Sequence, residues 1–419
     1  MTSVTNTDNK ARWVLGIAMS AMIVDGYDVI VFGSAIPALR AHKDWNLSAQ
    51  DIGQIASLAI VGMLLGALLS GPITDRIGRR WGLIGCITWF SIAMIGVSAA
   101  PSPEVLGFFR FIAGLGFGGV LPTAIALTME WAPPRRKNLS NALVQCGFPA
   151  GGILAAFAAI AFLEDFGFRA LFLLGALPLV TIVPLAIWRL PESAEFLRTQ
   201  KSDVSRPSIR QNLANAFAPR FIPVLIVFAL ANFCSFLLVY ALNTWLPELM
   251  RTAGFGLGSA LSFLLTLSLG AIAGGAVGSA FADRFGNKLV VCIGFSTAAF
   301  VLMLISLSPS TGVLYILIAV AGATTLGTQI VLFGYAGTYF ASEVRATSVG
   351  FSSGVGRLGA IAGPILGGTL VGRDVGFGWS FGVFASVALG GALFTMLAPP
   401  TARAVDRATS NEVSRSAAV

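Results

Sequence analysis

The sequence predicts an all-α, polytopic membrane protein whose twelve transmembrane helices form two six-helix bundles related by pseudo-symmetry. Its 419 residues are 56% hydrophobic and only 11% charged, whereas a soluble domain carries about 25% charged residues. Its 48 glycines suit closely packed membrane helices, in which small residues let backbones approach. A span needs about 20 apolar residues, and twelve stretches qualify: 13–39, 52–73, 81–100, 104–128, 139–162, 169–188, 221–243, 258–280, 289–307, 312–338, 346–371 and 378–398.

The distribution of Lys and Arg predicts the orientation of these spans. With the N-terminus in the cytoplasm, the cytoplasmic segments hold 20 of the 27 basic residues and the outer loops hold 5. Basic residues concentrate on the cytoplasmic side of membrane proteins, so we expect both termini there, in an inner membrane protein. The same bias accounts for the net charge of +8, and no basic stripe with interleaved aromatic residues indicates a nucleic-acid partner. Residues 1–12 lack a small-residue cleavage site, so the first span is expected to be retained.

The longest polar segment, 189–220, follows the sixth span and contains three prolines. It predicts a cytoplasmic linker between an N-terminal six-helix bundle, 1–188, and a C-terminal six-helix bundle, 221–398. The remaining residues, 399–419, are predicted to form a cytoplasmic tail.

The two halves of the chain repeat each other. Asp75-Arg76-Ile77-Gly78-Arg79-Arg80 follows span two, and Asp283-Arg284-Phe285-Gly286-Asn287-Lys288 follows span eight, 208 residues later. Glu130 and Arg135 after span four are likewise mirrored by Glu343 and Arg345 after span ten. A repeat of about half the chain length is typical of a duplicated transporter core, with the substrate site between its halves.

Two acidic residues, Asp25 and Asp28, lie inside the first span. An ionised Asp near a bilayer centre costs roughly 2.5–3.5 kcal/mol on insertion scales, and the i,i+3 spacing places both carboxylates on one helix face. Asp25 lies twelve residues into the span, about 18 Å at 1.5 Å per residue. Burial favours the neutral form of a carboxyl and a nearby cation favours the charged form, so either Asp is a candidate proton carrier. The alternative is an Asp that stays neutral or ion-paired and serves packing.

Two arginines also lie within spans. Arg357, near the middle of span eleven, is the candidate for holding a substrate carboxylate, because guanidinium binds carboxylate through two parallel hydrogen bonds. A permanent ion pair with an Asp of span one is the alternative, and the two roles can alternate between conformations. Arg110 lies nearer the outer end of span four. The chain's one His, His42, falls in an outer loop as a solvated residue, so a proton relay within the membrane must use Asp, Glu, Tyr or water.

Several motifs resemble those of the major facilitator superfamily. The loop after span two, Gly71-Pro-Ile-Thr-Asp75-Arg76-Ile-Gly78-Arg79-Arg80, resembles the loop 2–3 signature of that superfamily, and the loop after span eight carries a second copy. Arg110-Phe-Ile-Ala-Gly114-Leu-Gly116-Phe-Gly118 resembles a second signature. Pro191-Glu192-Ser193 and Glu343-Val-Arg345-Ala-Thr347 add to the resemblance, which covers the whole chain.

Within the superfamily the chain most resembles the aromatic acid:proton symporters. Asp25-Gly-Tyr-Asp28 matches an Asp-Gly-x-Asp motif in span one, and Thr244-Trp245-Leu246-Pro247 and Gly356-Arg357-Leu-Gly359-Ala360 are similar to that family too. The resemblance implies alternating-access import of a benzoate- or hydroxybenzoate-type anion with protons, by a monomer in the lipid bilayer. By the same resemblance, Arg110 belongs to a relay or structural signature, and Glu130 is placed with it.

The loop signatures are predicted to act on conformation rather than to contact substrate. A carboxylate at this face can pair with basic residues or with the positive N-terminal end of a helix, and such contacts hold one gate closed until the other opens. The predicted gating residues are Asp75, Arg76, Gly78, Arg79, Arg80, Asp283 and Arg284.

Polar and aromatic side chains within the spans are weaker candidates for lining a substrate cavity. Each is equally suited to a hydrogen bond between helices. The candidates are Tyr27, Gln145, Asn232, Tyr240, Gln329 and Tyr335.

The sequence also leaves functions other than import of an aromatic acid open. Gly147-Phe-Pro149-Ala-Gly151-Gly152 imperfectly resembles the glycine–proline motif of drug antiporters, which would make the chain a proton-coupled exporter of drugs or metabolites. A proton-coupled importer of another organic acid or a sugar, and a non-transporting receptor, are further alternatives. The sequence has no ATP-binding loop, catalytic triad, metal-ligand cluster or dinucleotide fingerprint, so we expect neither an enzyme nor a bound metal or cofactor. The four cysteines all fall in apolar segments as packing residues.

Overall fold

The computed structural model describes residues 2–42, 44–133, 137–193, 196–197, 219, 221–307, 310–340 and 342–398, and within these ranges it contains helices and no strands. Side chains are described for the same residues except 2–8, 75, 137–139, 142 and 342–346. The predicted tail, 399–419, lies outside the described residues, as does most of the predicted linker.

Thirteen α-helices follow one another along the described chain. They are α1 (Thr2–Ala41), α2 (Ala49–Ile77), α3 (Arg79–Ser98), α4 (Pro103–Trp131), α5 (Lys137–Gln145), α6 (Gly147–Leu174), α7 (Ile182–Arg189), α8 (Ile222–Thr252), α9 (Leu257–Phe285), α10 (Asn287–Ser306), α11 (Thr311–Tyr339), α12 (Ser342–Gly372) and α13 (Phe377–Leu397).

The sixth span differs from the single helix that was predicted over 169–188. Eleven helical segments of the described chain are long and apolar enough to cross a membrane, and this pass is not among them. Its chain leaves α6, passes a short 3₁₀ turn at Leu177–Leu179 and ends in α7. Gly175 and Pro178 interrupt the helix, since proline has no N–H to donate and its ring clashes with the preceding turn. The all-helical, twelve-pass architecture is confirmed, with one pass broken.

A second break separates spans five and six inside α6. Gly167 has φ 71° and ψ 178°, a backbone conformation that residues with a side chain rarely adopt. The two apolar stretches predicted on either side of Gly167 are 139–162 and 169–188. In the structure, α6 runs through the kink at Gly167 and so contains parts of both stretches.

Equivalent turns join equivalent helices in the two halves. Gly78, between α2 and α3, has φ 93°, and Gly286, between α9 and α10, has φ 90°. The left-handed region favours glycine, and the two positions are 208 residues apart, the spacing of the sequence repeat. The same local structure is thus built twice from the same residue type.

The two halves meet along three helix pairs: α1 with α8, α2 with α12, and α6 with α9. The 208-residue repeat relates α2 to α9 and α6 to α12, so the second and third pairs are equivalent to each other. The repeat makes α1 and α8 equivalent to each other, so the contact between them lies on the approximate two-fold axis.

The face that was predicted to be outer carries residues 41–49, 98–103, 252–257 and 372–377, and here the halves are in close contact. The backbone of Gly33 lies against the carbonyl oxygen of Asn243, with no room for a Cβ between them. Ser57 Oγ donates a hydrogen bond to the carbonyl of Ile361 at 2.8 Å. Small residues permit this approach of helix backbones, and the seam closes the predicted outer face.

An ion pair completes this seam. Arg40, at the end of α1, pairs with the carboxylate of Glu248 in α8, and Glu248 is buried. The two residues are 208 positions apart, so they occupy equivalent positions of the repeat and face each other across its axis.

Candidate functional site

A central cavity lies between the two halves. Its volume is about 90 Å³. Residues of both halves form its wall: Met22, Asp25, Met63, Phe117, Leu121, Gln145, Phe148, Pro149, Phe236, Val239, Tyr240, Leu326, Gln329, Ile330, Phe333, Ser353 and Arg357.

Opposite charges meet at this cavity. Asp25 lies in the middle of its span, is 3% exposed, and its Oδ1 has no hydrogen-bond partner among the described residues. Arg357 is half-buried and close enough to Asp25 for an electrostatic interaction. Within the described chain, however, no ion pair within 4.0 Å involves Arg357. The guanidinium therefore retains donors for a ligand, and its role in binding a substrate carboxylate stays a prediction.

Aromatic rings form much of the wall. Phe236 and Tyr240 in α8 are stacked, with ring centroids 6.1 Å apart and an interplanar angle of 17°. Phe333 in α11 stands at 90° to Phe236 with centroids 5.9 Å apart. Phe117 and Phe148 face them from the first half. Such a wall suits a flat apolar ring, because aromatic pairs favour offset-stacked and edge-to-face arrangements.

Two amide side chains add polar groups to this wall. Gln329 in α11 is 9% exposed, and its Nε2 is buried without a hydrogen-bond partner among the described residues. Gln145 ends α5 and is half-buried. Both were predicted to line a cavity, and both lie in this wall together with Tyr240.

Asp28 is placed apart from the cavity wall, in an ion pair with Arg110. Arg110 Nη1 donates to Asp28 Oδ1, and the two residues are 2% and 0% exposed. The guanidinium of Arg110 also lies 4.8 Å above the ring centroid of Phe32. Asp28 Oδ2 and Arg110 Nε have no hydrogen-bond partner in the described chain. From the sequence, Arg357 was the predicted alternative as ion-pair partner of an Asp in span one. In the structure, Asp28 of that span pairs with Arg110 instead.

Three other candidates are placed outside the cavity wall. The hydroxyl of Tyr27 donates to the carbonyl of Leu171 at 2.8 Å, which ties α1 to α6. Asn232 Nδ2 donates to the carbonyl of Phe228, one turn earlier in its own helix, at 2.9 Å. Tyr335 packs on Phe228 with centroids 4.9 Å apart. Each finds a partner in neighbouring helix structure, and none of the three is among the residues that form the wall of this cavity.

In the first half, the residues predicted to act as a gate contact their own half. Arg79 forms an ion pair with Glu130. The backbone N–H of Arg80 donates to Glu192 Oε1 at 3.0 Å, and its Nη2 donates to the carbonyl of Ile187 at 2.5 Å. The carboxylate of Glu192 thus satisfies a free N–H at the start of α3 and lies directly against Gly78.

The equivalent residues of the second half are more open. Asp283 and Arg284 are exposed, and Arg284 lies over the ring of Phe285 at 5.4 Å. Arg76 in the first half is exposed too, and the side chain of Asp75 lies outside the described residues, as do those of Glu343 and Arg345. Among the described side chains, no ion pair joins the two halves at this face.

Sequence reasoning missed the ion pair at the predicted outer face and misplaced His42. Glu248 was not considered, although its 208-residue offset from Arg40 is a signal that the repeat offers. His42 is half-buried against Trp45 and Phe168, with ring centroids 5.0 and 5.8 Å away, and so is not a freely solvated loop residue. These rings line a wider surface cavity of about 630 Å³ that belongs to the first half alone.

Comparison with known proteins gives consistent matches. The family model of the Major Facilitator Superfamily matches residues 18–279 and 228–417. A gentisate transporter of Corynebacterium glutamicum is 36% identical over 399 residues, which cover 92% of this chain and 89% of that protein. A benzoate transport protein of Acinetobacter baylyi is 35% identical over 388 residues, covering 85% and 83%. The crystal structure of a D-xylose-proton symporter matches 93% of this chain and 98% of that chain, with a TM-score of 0.75 and 20% identity.

Proposed function

Since the chain belongs to the Major Facilitator Superfamily of membrane transporters, we propose that it imports a small aromatic carboxylate together with protons. The observation that carries the proposal is a guanidinium without an ion-pair partner in the described chain, Arg357, set in a cavity walled by aromatic rings. The relatives named for gentisate and benzoate transport support it, because both compounds are aromatic carboxylates.

Binding follows from the chemistry of the wall. The planar guanidinium of Arg357 holds the carboxylate through two parallel hydrogen bonds. The substrate ring then packs against Phe236 and Tyr240 on one side and Phe148 on the other. Burying an apolar ring in this way contributes roughly 25 cal/mol per Å² of apolar surface removed from water.

Asp25 supplies the coupling to protons. In the proposed cycle, Asp25 of the empty cavity is ionised and balances the charge of Arg357, which is close enough for an electrostatic interaction. A bound carboxylate brings a second negative charge to the same cation, and in a site of low dielectric this excess favours protonation of Asp25. Substrate and proton therefore load together.

Transport proceeds by movement of the two bundles, 1–188 and 221–398, against each other. The seam at the predicted outer face must open for substrate to enter from outside, and the pairs α1–α8, α2–α12 and α6–α9 are the surfaces on which the halves move. The protein works as a monomer in the inner membrane, with both termini in the cytoplasm. This orientation rests on the distribution of Lys and Arg.

The sequence feature behind the exporter alternative also has a structural explanation. Gly147 and Gly151, from the segment that resembled an antiporter motif, lie against the backbone of α1 at Met19 and Ile23. Helix packing accounts for these glycines without a role in export.

The test is uptake of labelled benzoate and 4-hydroxybenzoate by cells that lack other carriers for them. Arg357→Lys keeps the charge and loses the planar fork, so we expect uptake to fall at least about tenfold at equal expression. Arg251→Lys, at an exposed arginine of the predicted outer face, is the matched control and should leave uptake unchanged. Benzamide should compete poorly with benzoate. Equal competition by benzamide and benzoate would show that the site does not recognise the carboxylate and would overturn the proposal.

A further inference from the structure

Gln329 has an unusual environment for a buried amide. It is 9% exposed, lines the central cavity, and forms no hydrogen bond with a described residue. Buried polar groups in proteins are nearly always hydrogen-bonded, and each exception requires an explanation. A ligand in the cavity that forms a hydrogen bond with the Gln329 amide provides such an explanation.

The donor groups of two other buried amides within the spans are satisfied locally. Asn232 donates to the carbonyl of Phe228 at 2.9 Å, and Asn243 donates to the carbonyl of Val239 at 2.7 Å, each one turn back in its own helix. The carbonyl one turn before Gln329 belongs to Thr325, and Gln329 does not bond to it. Gln329 lines the central cavity instead.

Gln329 and Arg357 lie at different depths in the cavity. Only two residues separate the end of α11 from the start of α12, so these two helix ends lie at a similar level. Gln329 lies ten residues from its end, Tyr339, and Arg357 lies fifteen residues from its own, Ser342. The difference of five residues is about 7–8 Å along the membrane normal at 1.5 Å per residue. The cavity therefore presents the guanidinium and the amide at two different levels, with aromatic wall residues around both.

We propose that Gln329 recognises a hydroxyl group on the ring, so that the chain selects hydroxylated aromatic acids over unsubstituted ones. The inference rests on the proposed function, because it assumes that the carboxylate lies on Arg357. A hydroxyl is both donor and acceptor and can therefore bond to the Gln329 amide in either orientation. A ring C–H in the same place displaces water and leaves the amide buried and unpaired. The names of the relatives do not choose between the two classes, since gentisate carries hydroxyls and benzoate carries none.

The test compares the affinities of purified protein for 4-hydroxybenzoate, 3-hydroxybenzoate and benzoate, measured by displacement of one labelled acid. The wild type should prefer a hydroxylated acid by about tenfold or more, since an unpaired buried amide lowers affinity by about 5- to 150-fold. Gln329→Met keeps the length of the side chain and removes the amide. It should reduce the preference to less than about threefold and leave benzoate affinity unchanged or higher.

Controls separate this inference from the function on which it rests. Gln145→Met removes the other amide of the wall and should keep the preference. Gln329→Leu serves as a second variant if Gln329→Met is not monodisperse on size exclusion. A wild type that binds all three acids equally, or a preference that persists in both Gln329 variants, overturns the role of Gln329. Binding of none of the acids overturns the proposed function instead.

Discussion

The buried ion pair between Asp28 and Arg110 leads to the most informative prediction. Both side chains are almost fully enclosed, so removing one partner leaves an uncompensated charge. Such losses cost about 3–5 kcal/mol. We therefore expect Arg110→Gln and Asp28→Asn each to lower the free energy of unfolding by about this amount, with the Arg110 variant also losing the contact to Phe32.

The double variant distinguishes a structural role from a role in the proton relay. Asp28→Asn with Arg110→Gln leaves no charge behind, so it should recover most of the stability that the single variants lose, which requires a coupling energy of roughly 5 kcal/mol or more between the two sites. If the pair is structural only, proton-driven uptake recovers as well. If Asp28 carries a proton, uptake stays low although the protein is stable.

The assay follows unfolding of detergent-solubilised protein during titration with SDS. Reaction of buried Cys234 with a thiol-reactive dye reports the loss of packing, and uptake of labelled acid is measured in parallel at equal expression. Single variants that lose less than about 1 kcal/mol, or whose losses simply add in the double variant, would refute the reasoning, since two coupled buried charges cannot behave in that way.

Two further predictions concern coupling and the closed face. Asp25→Asn should abolish protonophore-sensitive accumulation and leave exchange of internal for external substrate in place; full accumulation by the variant would remove Asp25 as the proton carrier. Glu248→Gln removes the ion pair across the predicted outer seam. A cysteine introduced into that seam by Ser57→Cys serves as the reporter. It should react severalfold faster with a membrane-impermeant thiol reagent when Glu248→Gln is also present than when it is absent. Asp51→Asn, which alters only a helix cap at the same face, is its control, and equal reaction rates in Glu248→Gln and its parent would show that the pair does not hold the seam.

Much of the fold could be predicted because hydrophobic length and the positions of Lys and Arg are properties of the sequence alone. The broken sixth pass could not be found in this way. Average hydropathy over 169–188 is high whether the helix is continuous or not, and the interruption depends on Gly175 and Pro178. The turns at Gly78 and Gly286 were visible as a repeat, although their positive φ was not.

The candidate site was predictable where charge alone is the signal. Asp25 and Arg357 lie mid-span, and a charge in that position needs water, a partner or a ligand. The partner of Asp28 was not predictable, because the spacing along one helix does not tell which neighbouring helix its face meets. The contact of Tyr27 could not be predicted for a related reason: a tyrosine hydroxyl can donate to a neighbouring carbonyl, as Tyr27 does to Leu171, or to a ligand.

The charged residues well inside the described spans have an electrical consequence. Around the centre of the protein these are two acids and two bases, Asp25, Asp28, Arg110 and Arg357, and when all four are ionised their charges cancel. A monovalent anion that enters with one proton leaves that total unchanged, and the cycle then moves no charge across the membrane. A membrane potential, worth about 2.3 kcal/mol per charge per 100 mV, gives such a cycle no driving force. Accumulation then depends on the pH difference alone, at about tenfold per pH unit, and a diffusion potential imposed on proteoliposomes measures this balance directly.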